Sequence, residues 1–415
     1  MTFIRKMSDL LIEYQCPQCG APAILKETDR LFACEFCRVK SYLFQKNFFR
    51  YMLPNSAPKN KDIVFFPYWR FKGMIFSCVE DGIKHRFIDF SHQAVESTYF
   101  PISVGLRSQA LKLNFVTPES KGYFVKPTQS FKNVMNIFNH RYSISLPNPV
   151  FHQSHIGETY SLIYSPFYAN DKIFDAVLNK PVSQVLPNEF NVTLLQGGSP
   201  GGHINFIPTL CPDCGWDLEG RRDSLVLNCK NCNSVWRPTA NGFKKLKFAI
   251  LPAKEENIIY LPFWRIKADV TGITLNSYAD LVRIANLPKV IKKKWEDVEF
   301  RFWALGFKVR PQVFLRLARN ITLAQPQEKL VRGLPDTRLH PVTLPIEEAI
   351  ESLTLNLAGF MKPQKDLFPK LRDIRIKPKS YLLVYIPFIE QHHELIHPDF
   401  HLGIKKNQLE LASNL

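Results

Sequence analysis

The sequence lacks a long apolar run. No uncharged apolar stretch in the 415 residues reaches the roughly 18 residues that a transmembrane helix needs. The segment 1–13 carries Arg5, Lys6 and Asp9 and has no uninterrupted apolar core, so no signal peptide is expected. These absences predict a cytoplasmic protein without a transmembrane segment.

Common catalytic fingerprints are also missing. The sequence contains no P-loop, no dinucleotide-binding glycine fingerprint and no serine nucleophile elbow. The glycine-rich segment 196–202 lacks the Lys-Ser/Thr pair of a P-loop. Acidic residues are few beside basic ones, since 54 Lys and Arg against 37 Asp and Glu leave a net charge of +17. An excess of this sign favours an acidic partner.

The rest of the composition is that of a globular protein. Hydrophobic residues make up 45% and charged residues 22%. A 13% share of aromatic residues and 30 prolines favour strands and loops over long helices. A chain of this length is expected to hold two or three domains.

Cysteines are few, but eight of the nine form two quartets with the same spacing. Each quartet reads C-x2-C, fourteen intervening residues and C-x2-C, and a glycine follows the first pair. Each C-x2-C makes a tight turn that points two sulfurs at one spot, and four thiolates suit a closed, structural zinc site. Two disulfide pairs or a redox dithiol are the alternative, which a reducing compartment disfavours. The predicted ligands are Cys16, Cys19, Cys34 and Cys37 for one Zn²⁺, and Cys211, Cys214, Cys229 and Cys232 for a second Zn²⁺.

The spacing of the quartets indicates an internal duplication. The second quartet lies 195 residues after the first, and further blocks match in the same order. These blocks are residues 66–72 with 261–267, 106–111 with 309–314, and 164–167 with 385–388. The offset grows from 195 to 203 and then 221, as loop insertions in the second copy would produce.

We therefore expect an α+β fold built by tandem duplication. Each half would contain a zinc ribbon and a mostly antiparallel β-sheet domain with one or two short helices. Apolar residues at three- and four-residue spacing predict a helix over 346–360, with a counterpart over 128–138. The predicted domains are zinc ribbon 1 (1–50), α+β domain 1 (51–195), a Gly-rich linker (196–206), zinc ribbon 2 (207–245) and α+β domain 2 (246–415).

Basic residues alternate with aromatic ones in the strand that follows each ribbon. Arg70 and Lys72 share one face of the first strand, and Trp69 lies on the other. Arg265 and Lys267 repeat the pattern in the second half. The strand either packs its aromatic residues in the core and exposes a basic face to solvent, or it forms a basic binding strip flanked by aromatic residues.

Two further basic clusters occur in the second half. Lys292, Lys293 and Lys294 lie in an insertion, together with Lys289, and Arg375, Lys377 and Lys379 alternate along a predicted strand. A run of charge is usually a solvated face. The alternative is a surface for nucleic acid, anionic lipid or an acidic protein.

Residues 393–397 match the H-E-x-x-H motif of zinc proteases. That chemistry needs His393 and His397 on one helical turn as ligands and Glu394 beside them as the base. Pro387 and Pro398 leave no room for such a helix, and the matching segment of the first half contains no histidine. We therefore interpret the match as accidental and the segment as a hairpin. A weak surface metal site from His392, His393, His397 and His401 is the other interpretation.

The two quartets resemble zinc ribbons of the rubredoxin-like kind. The longer unit, a ribbon followed by an aromatic-Pro-aromatic-Trp strand, is similar to poorly characterised bacterial zinc-ribbon proteins. Some of those proteins accompany phage-shock-type membrane-remodelling proteins and carry membrane helices. The resemblance implies structural zinc and a binding or scaffolding role rather than an enzymatic activity.

The sequence thus predicts a non-enzymatic zinc-binding adaptor, assembly or scaffold subunit. It would bind an acidic macromolecular partner through basic and aromatic surfaces. A nucleic-acid-binding zinc-ribbon protein is the alternative, and a zinc metalloprotease acting through His393, Glu394 and His397 is the remote one.

Overall fold

The computed structural model describes residues 10–105, 107–187, 195–253, 255–397 and 399–410. The chain forms two compact units. Unit 1 comprises Met1–Lys72, Ile88–Ile144 and Thr159–Pro208, and unit 2 comprises Gly73–Phe87, Ser145–Glu158 and Thr209–Leu415. The segments 73–87 and 145–158 lie within the predicted domain 51–195 and belong to unit 2.

The first half of the chain supplies thirteen described strands and two helices. Three of the strands, β6, β7 and β10, contribute residues to both units. The strands are Leu11–Gln15 (β1), Pro22–Lys26 (β2), Leu31–Ala33 (β3), Lys40–Phe44 (β4), Phe49–Met52 (β5), Val64–Val79 (β6), Gly82–Gln93 (β7), Lys112–Phe115 (β8), Tyr123–Phe124 (β9), Val150–Ala169 (β10), Ile173–Asp175 (β11), Lys180–Pro181 (β12) and Asn205–Pro208 (β13). The helices are Arg107–Ala110 (α1) and Phe131–Ile144 (α2).

These strands form a ten-stranded sheet and a small second sheet. The order of the large sheet is β12-β11-β10-β5-β8-β1-β2, and β6 pairs with β10, β7 and β9. The small sheet is β13-β4-β3. The predicted linker 196–206 packs on unit 1, because the backbone N–H of Lys126 donates to Gln196 and that of Gly198 donates to Phe124. Its last residues, 205 and 206, belong to β13, which pairs with β4.

The second half of the chain supplies the remaining described elements, all of which lie in unit 2. The strands are Leu227–Cys229 (β14), Ser234–Thr239 (β15), Gly242–Leu246 (β16), Phe248–Ile250 (β17), Ile258–Thr271 (β18), Phe302–Leu305 (β19), Arg338–Leu339 (β20), Arg375–Glu390 (β21), Glu394–His397 (β22) and Leu402–Lys405 (β23). The helices are Tyr278–Ile284 (α3), Pro311–Ala324 (α4), Ile346–Glu351 (α5), Leu353–Phe360 (α6), Gln364–Leu367 (α7) and Lys406–Glu410 (α8), with 3-10 turns at Lys293–Trp295 and Phe368–Arg372.

A long antiparallel pair is the centre of unit 2. β18 and β21 pair along almost their whole length, with a bulge at Lys267 and Ala268. They belong to a seven-stranded sheet of order β19-β18-β21-β22-β23, with β17 on β21 and β20 on β18. A separate three-stranded sheet, β14-β15-β16, carries the second cysteine quartet.

The architecture is mixed α/β, with sheets predominating and short helices. The predicted helix 346–360 is divided at Ser352 into α5 and α6, and the predicted helix 128–138 is α2, which begins at Phe131. The sequence interpretation missed α4, although Pro311 opens it and Phe314, Leu317 and Ile321 follow at helical spacing. No helix among the described residues is long and apolar enough to cross a membrane.

Arg70 and Lys72 are buried, each only 1% exposed, which corrects the expectation that they form a partner-binding surface. Every residue of β6 is buried, so its alternation leaves no solvated face. The Arg70 guanidinium forms ion pairs with Glu27, which follows β2, and with Asp89 of β7 at 3.1 Å. The Ser161 hydroxyl donates to the other Glu27 oxygen. Arg70 thereby ties the first ribbon to β6.

Replacing Arg70 by methionine should destabilise unit 1 by roughly 3–5 kcal/mol, because two carboxylates would lose their buried partner. The matched control is Arg265→Met. Arg265 is half-buried and packs over Trp303 at 6.0 Å, so its loss should cost roughly 1 kcal/mol or less. Urea unfolding followed by circular dichroism measures both. Equal losses in the two variants would contradict the tie between Arg70 and the first ribbon.

A buried carboxylate lies at the start of α5 in unit 2. The Glu348 side chain accepts hydrogen bonds from the backbone N–H groups of Gly157 and Glu158, and Lys308 donates to the Gly157 carbonyl at 3.1 Å. Burial raises the pKa of Glu348 to about 7 and that of Glu158 to about 8. Glu351 adds to the negative charge facing both groups.

Glu348 should make the free energy of unfolding fall as pH rises from about 4.5 to about 7. The native state holds the Glu348 proton up to about pH 7, whereas an unfolded glutamate releases it near 4.5, so the penalty grows across this window. The free energy of unfolding of Glu348→Gln should therefore rise by roughly 1–3 kcal/mol relative to that of wild type across this pH window. The control is Glu347→Gln, at an exposed position of the same helix. Chemical unfolding across a pH series measures this, and parallel curves for wild type and Glu348→Gln would contradict it.

Candidate metal centres

The four sulfurs of each quartet converge as the sequence predicts. In each group the ligand atoms all lie within 4.8 Å of one another, and all nine cysteines are free. The Sγ atoms of Cys16 and Cys37 are 3.7 Å apart, and those of Cys214 and Cys229 are 3.4 Å apart. A disulfide needs about 2.05 Å, whereas a tetrahedron with metal–sulfur bonds of about 2.3 Å has edges of about 3.8 Å. The geometry therefore fits two four-thiolate metal sites.

Backbone turns hold the sulfurs in place. In the first ribbon the N–H of Gly20 donates to the Cys16 carbonyl, and in the second the N–H of Gly215 donates to the Cys211 carbonyl, both at 2.8 Å. Gly20 and Gly215 have φ values of 72° and 73°, in the left-handed region that favours glycine. The glycine after each first pair therefore lets both sulfurs of that pair face the metal position.

The pKa values of the thiols diverge within each quartet. A hydrogen bond from the Asn231 side chain lowers the pKa of Cys214 to about 6, and a backbone hydrogen bond from Cys37 lowers that of Cys34 to about 6. Burial raises the pKa of Cys229 to about 12. A divalent cation with four thiolate ligands would balance the charge that one quartet concentrates, and a soft, closed tetrahedral donor set is the one that zinc takes.

Each ribbon adds an exposed aromatic side chain that the sequence interpretation missed. Trp216, directly after Gly215, is 61% exposed, and Phe36, between Cys34 and Cys37, is 70% exposed. A tight metal-binding turn is too short to cover a large side chain, so an aromatic residue in or beside the turn stays exposed. The signal was available, since Phe36 lies inside a C-x2-C motif and Trp216 lies two residues after one.

Five of the predicted partner-binding residues lie in β18 and in the insertion of unit 2. Arg265 and Lys267 are half-buried, and Lys267 forms an ion pair with Glu299, whose pKa Arg301 and Lys267 lower to about 2. Of the lysine run, Lys292, Lys293 and Lys294 are exposed. The combined charge of the β18 pair is therefore partly neutralised through Lys267 and Glu299, whereas the lysine run at 292–294 presents its charge to solvent.

The other three predicted residues, Arg375, Lys377 and Lys379, are exposed and alternate along β21. Lys379 forms an ion pair with Asp269 at 2.7 Å. Arg375 and Lys377 alternate onto one face of β21, and Lys379 follows at the bulge, where its ammonium reaches Asp269, the cross-strand neighbour of Lys377. The three residues are thus exposed, with one carboxylate beside them.

The H-E-x-x-H match lies on a strand and not on a helix. Glu394–His397 is β22, which forms a hairpin with β21 as the sequence analysis expects. His397 is buried and stacks on Phe400 with ring centroids 4.1 Å apart, whereas His393 is exposed. In the described part of the chain, the four histidines of this segment do not converge on a metal position. The geometry that a zinc protease needs is therefore absent.

No known protein family, curated protein or solved structure matches this chain. The two cysteine quartets fit tandem zinc-ribbon-like sites on their own geometry.

The purified chain should contain two metal ions. Cys16→Ser and Cys211→Ser should each leave one, because three thiolates and an alcohol bind zinc far more weakly than four thiolates. Cys78→Ser is the control and should keep two, since Cys78 is buried outside both quartets. Metal analysis by mass spectrometry of the native protein gives the counts. Two ions retained in the Cys16 or Cys211 variant would contradict the assignment.

Proposed function

We propose that the protein is a non-enzymatic, zinc-stabilised adaptor or assembly subunit that binds an acidic macromolecular partner through unit 2. The four thiolates of each quartet fill a tetrahedral coordination sphere and leave no position for substrate, which favours a structural role for the metal. The observation that carries the proposal is the exposed series of Arg375, Lys377 and Lys379 at the start of β21. Its charge is set on a rigid strand rather than on a loop.

The proposal includes a tandem duplication, which the strand pairing supports. Val64 and Phe65 of β6 pair in parallel with β9, and residues 259 and 260 of β18, at the offset of 195, pair in parallel with β20. β5 and β17, which follow the ribbons, each pair in parallel with the long closing strand, β10 or β21. Both copies thus repeat the same two parallel contacts.

An indole hydrogen bond repeats as well. Trp69 donates to the Gln129 carbonyl at 2.8 Å, and Trp264 donates to the Leu344 carbonyl at 3.1 Å. In each copy the acceptor lies two residues before a helix, α2 or α5. The tryptophan of the aromatic-Pro-aromatic-Trp block therefore has the same role twice, which supports descent from one ancestral unit.

Nucleic acid is the second candidate partner, and the lysine insertion favours it. The Lys289 ammonium lies 5.6 Å from the Tyr278 ring centroid, and the Lys292 ammonium lies 5.8 Å from the Trp295 ring centroid. The two rings contact each other edge to face at 5.1 Å. Proteins that bind single-stranded nucleic acids combine basic residues with aromatic rings in this way.

The test uses fluorescence anisotropy with labelled poly-glutamate, single-stranded RNA and duplex DNA over a salt series. We expect poly-glutamate binding, and its loss when Arg375, Lys377 and Lys379 are all changed to glutamine. The matched control changes three exposed lysines of unit 1, Lys59, Lys121 and Lys180, to glutamine and removes the same charge.

The outcomes separate the two candidates. Tight binding of single-stranded RNA or duplex DNA, with a log–log salt slope of about 0.7 or about 0.9 per neutralised phosphate respectively, would replace the acidic protein by nucleic acid if it is lost on changing Lys292, Lys293 and Lys294 to glutamine. Binding weakened equally by the unit 1 control would mean that net charge acts without a defined surface, and this would contradict the proposal.

A further inference from the structure

Unit 1 contains a pocket of about 620 Å³ that no part of the proposed function uses. This volume lies within the range of small-molecule sites. Side chains from β5, β6, β10 and the start of α2 line the pocket, together with the glycine-rich segment at 199–201. Among the described residues, its charged and polar lining contains arginine, lysine, serine, asparagine and tyrosine and no carboxylate.

The aromatic side of the pocket is a cluster of four rings. Phe48 and Trp69 meet edge to face at 4.7 Å, and Phe131 and Tyr160 stack at 4.6 Å with an interplanar angle of 16°. Trp69 also contacts Phe131 at 5.6 Å. Phe48, Phe131 and Tyr160 are only half-buried, so their rings remain partly accessible from the pocket. Such rings offer a stacking surface to a planar ligand.

Three cations share the pocket with these rings. The half-buried guanidinium of Arg50 lies 4.4 Å from the Phe48 ring centroid, and Lys126 and Lys132 are exposed at the rim. Within the described residues, no carboxylate forms an ion pair with any of the three. Partial burial lowers the pKa of Arg50, and an anion beside the guanidinium would offset part of this desolvation.

The glycine-rich segment forms one wall of the pocket beside Arg50. A Cβ added at Gly201 would lie 3.6 Å from the guanidinium carbon of Arg50, which is ordinary van der Waals contact. Gly201 has a φ of 63°, in the left-handed region that favours glycine. The backbone of Gly201 therefore passes Arg50 in a conformation that other residues rarely adopt.

We propose that this pocket binds a nucleotide, whose base packs against the aromatic cluster of Phe48, Phe131 and Tyr160 and whose phosphate contacts Arg50, Lys126 and Lys132. The planar guanidinium matches the oxygens of a phosphate in two parallel hydrogen bonds. The charge of three cations matches that of a multiply charged phosphate better than that of a ligand with a single carboxylate. The first turn of α2, which has no acidic residue, adds positive potential at the same wall.

The nucleotide can come from two sources, a free mononucleotide or the terminal nucleotide of a single strand. Isothermal titration calorimetry with the full-length protein tests both, using adenosine 5′-monophosphate and a 5′-phosphorylated single-stranded oligonucleotide. Adenosine and inorganic phosphate are the partial probes. We expect saturable binding of at least one phosphorylated probe and much weaker binding of each partial probe.

Arg50→Gln should weaken binding of the phosphorylated probe roughly tenfold or more. The matched control is Arg141→Gln, at an exposed position in the last turn of α2, and it should bind as wild type does. Lys126→Gln is a second variant at an exposed site, and it keeps the test decisive if the Arg50 variant misfolds. Circular dichroism and metal content check the folding of each variant.

Each outcome decides the proposal. Binding of the mononucleotide or of the oligonucleotide alone, lost with Arg50, supports it and identifies the source. No binding at millimolar concentration, equal binding of adenosine, or binding unaffected by both Arg50→Gln and Lys126→Gln would overturn it. The glutamine variants of β21 leave unit 1 unchanged, so failure here and failure of the proposed function are distinguishable.

Discussion

The four-sulfur tetrahedron is the constraint on which each ribbon depends. Sulfur–sulfur edges of about 3.8 Å require two turns, separated by fourteen residues, to place all four sulfurs one metal–sulfur bond length from a common centre. In the first ribbon one of these turns connects β1 with β2 and the other connects β3 with β4. β1 also pairs with β8 of the large sheet, so the metal position and the sheet are joined through the backbone. Glu27, just beyond β2, then reaches Arg70.

The two matching aromatic strands, β6 and β18, use the same residue types differently. Arg70 is enclosed and forms ion pairs with Glu27 and Asp89, whereas Arg265 lies half-buried over Trp303. Burying a cation without a carboxylate would cost several kcal/mol, so full burial of Arg70 required acidic partners. Unit 2 has its exposed charge elsewhere, on β21 and in the lysine run at 292–294, which is why we propose the acidic partner for unit 2.

The sequence predicted the features that depend on local spacing. The two quartets and the hairpin at 391–393 follow from a C-x2-C repeat and from two nearby prolines. It did not predict the burial of Arg70, because period-2 alternation shows that two faces differ and not which of them solvent reaches. The residues that cover the Arg70 face of β6 lie far from it in the sequence.

The same limit explains the pocket of unit 1. The glycine-rich segment reads as a linker from its composition, and only the fold shows that it packs beside Arg50 and Lys126. Aromatic residues at 48, 69, 131 and 160 carry no common motif, because four separate elements bring them together. Residues that meet through tertiary structure leave no periodic signal in a single sequence.

X-ray absorption at the zinc K-edge of the purified protein tests the central claim most directly. Our account predicts a single shell of four sulfur ligands at about 2.3 Å and no nitrogen or oxygen ligand. Nitrogen ligands would indicate that the histidine segment holds the metal instead. Fewer than four sulfurs per zinc would contradict closed structural sites.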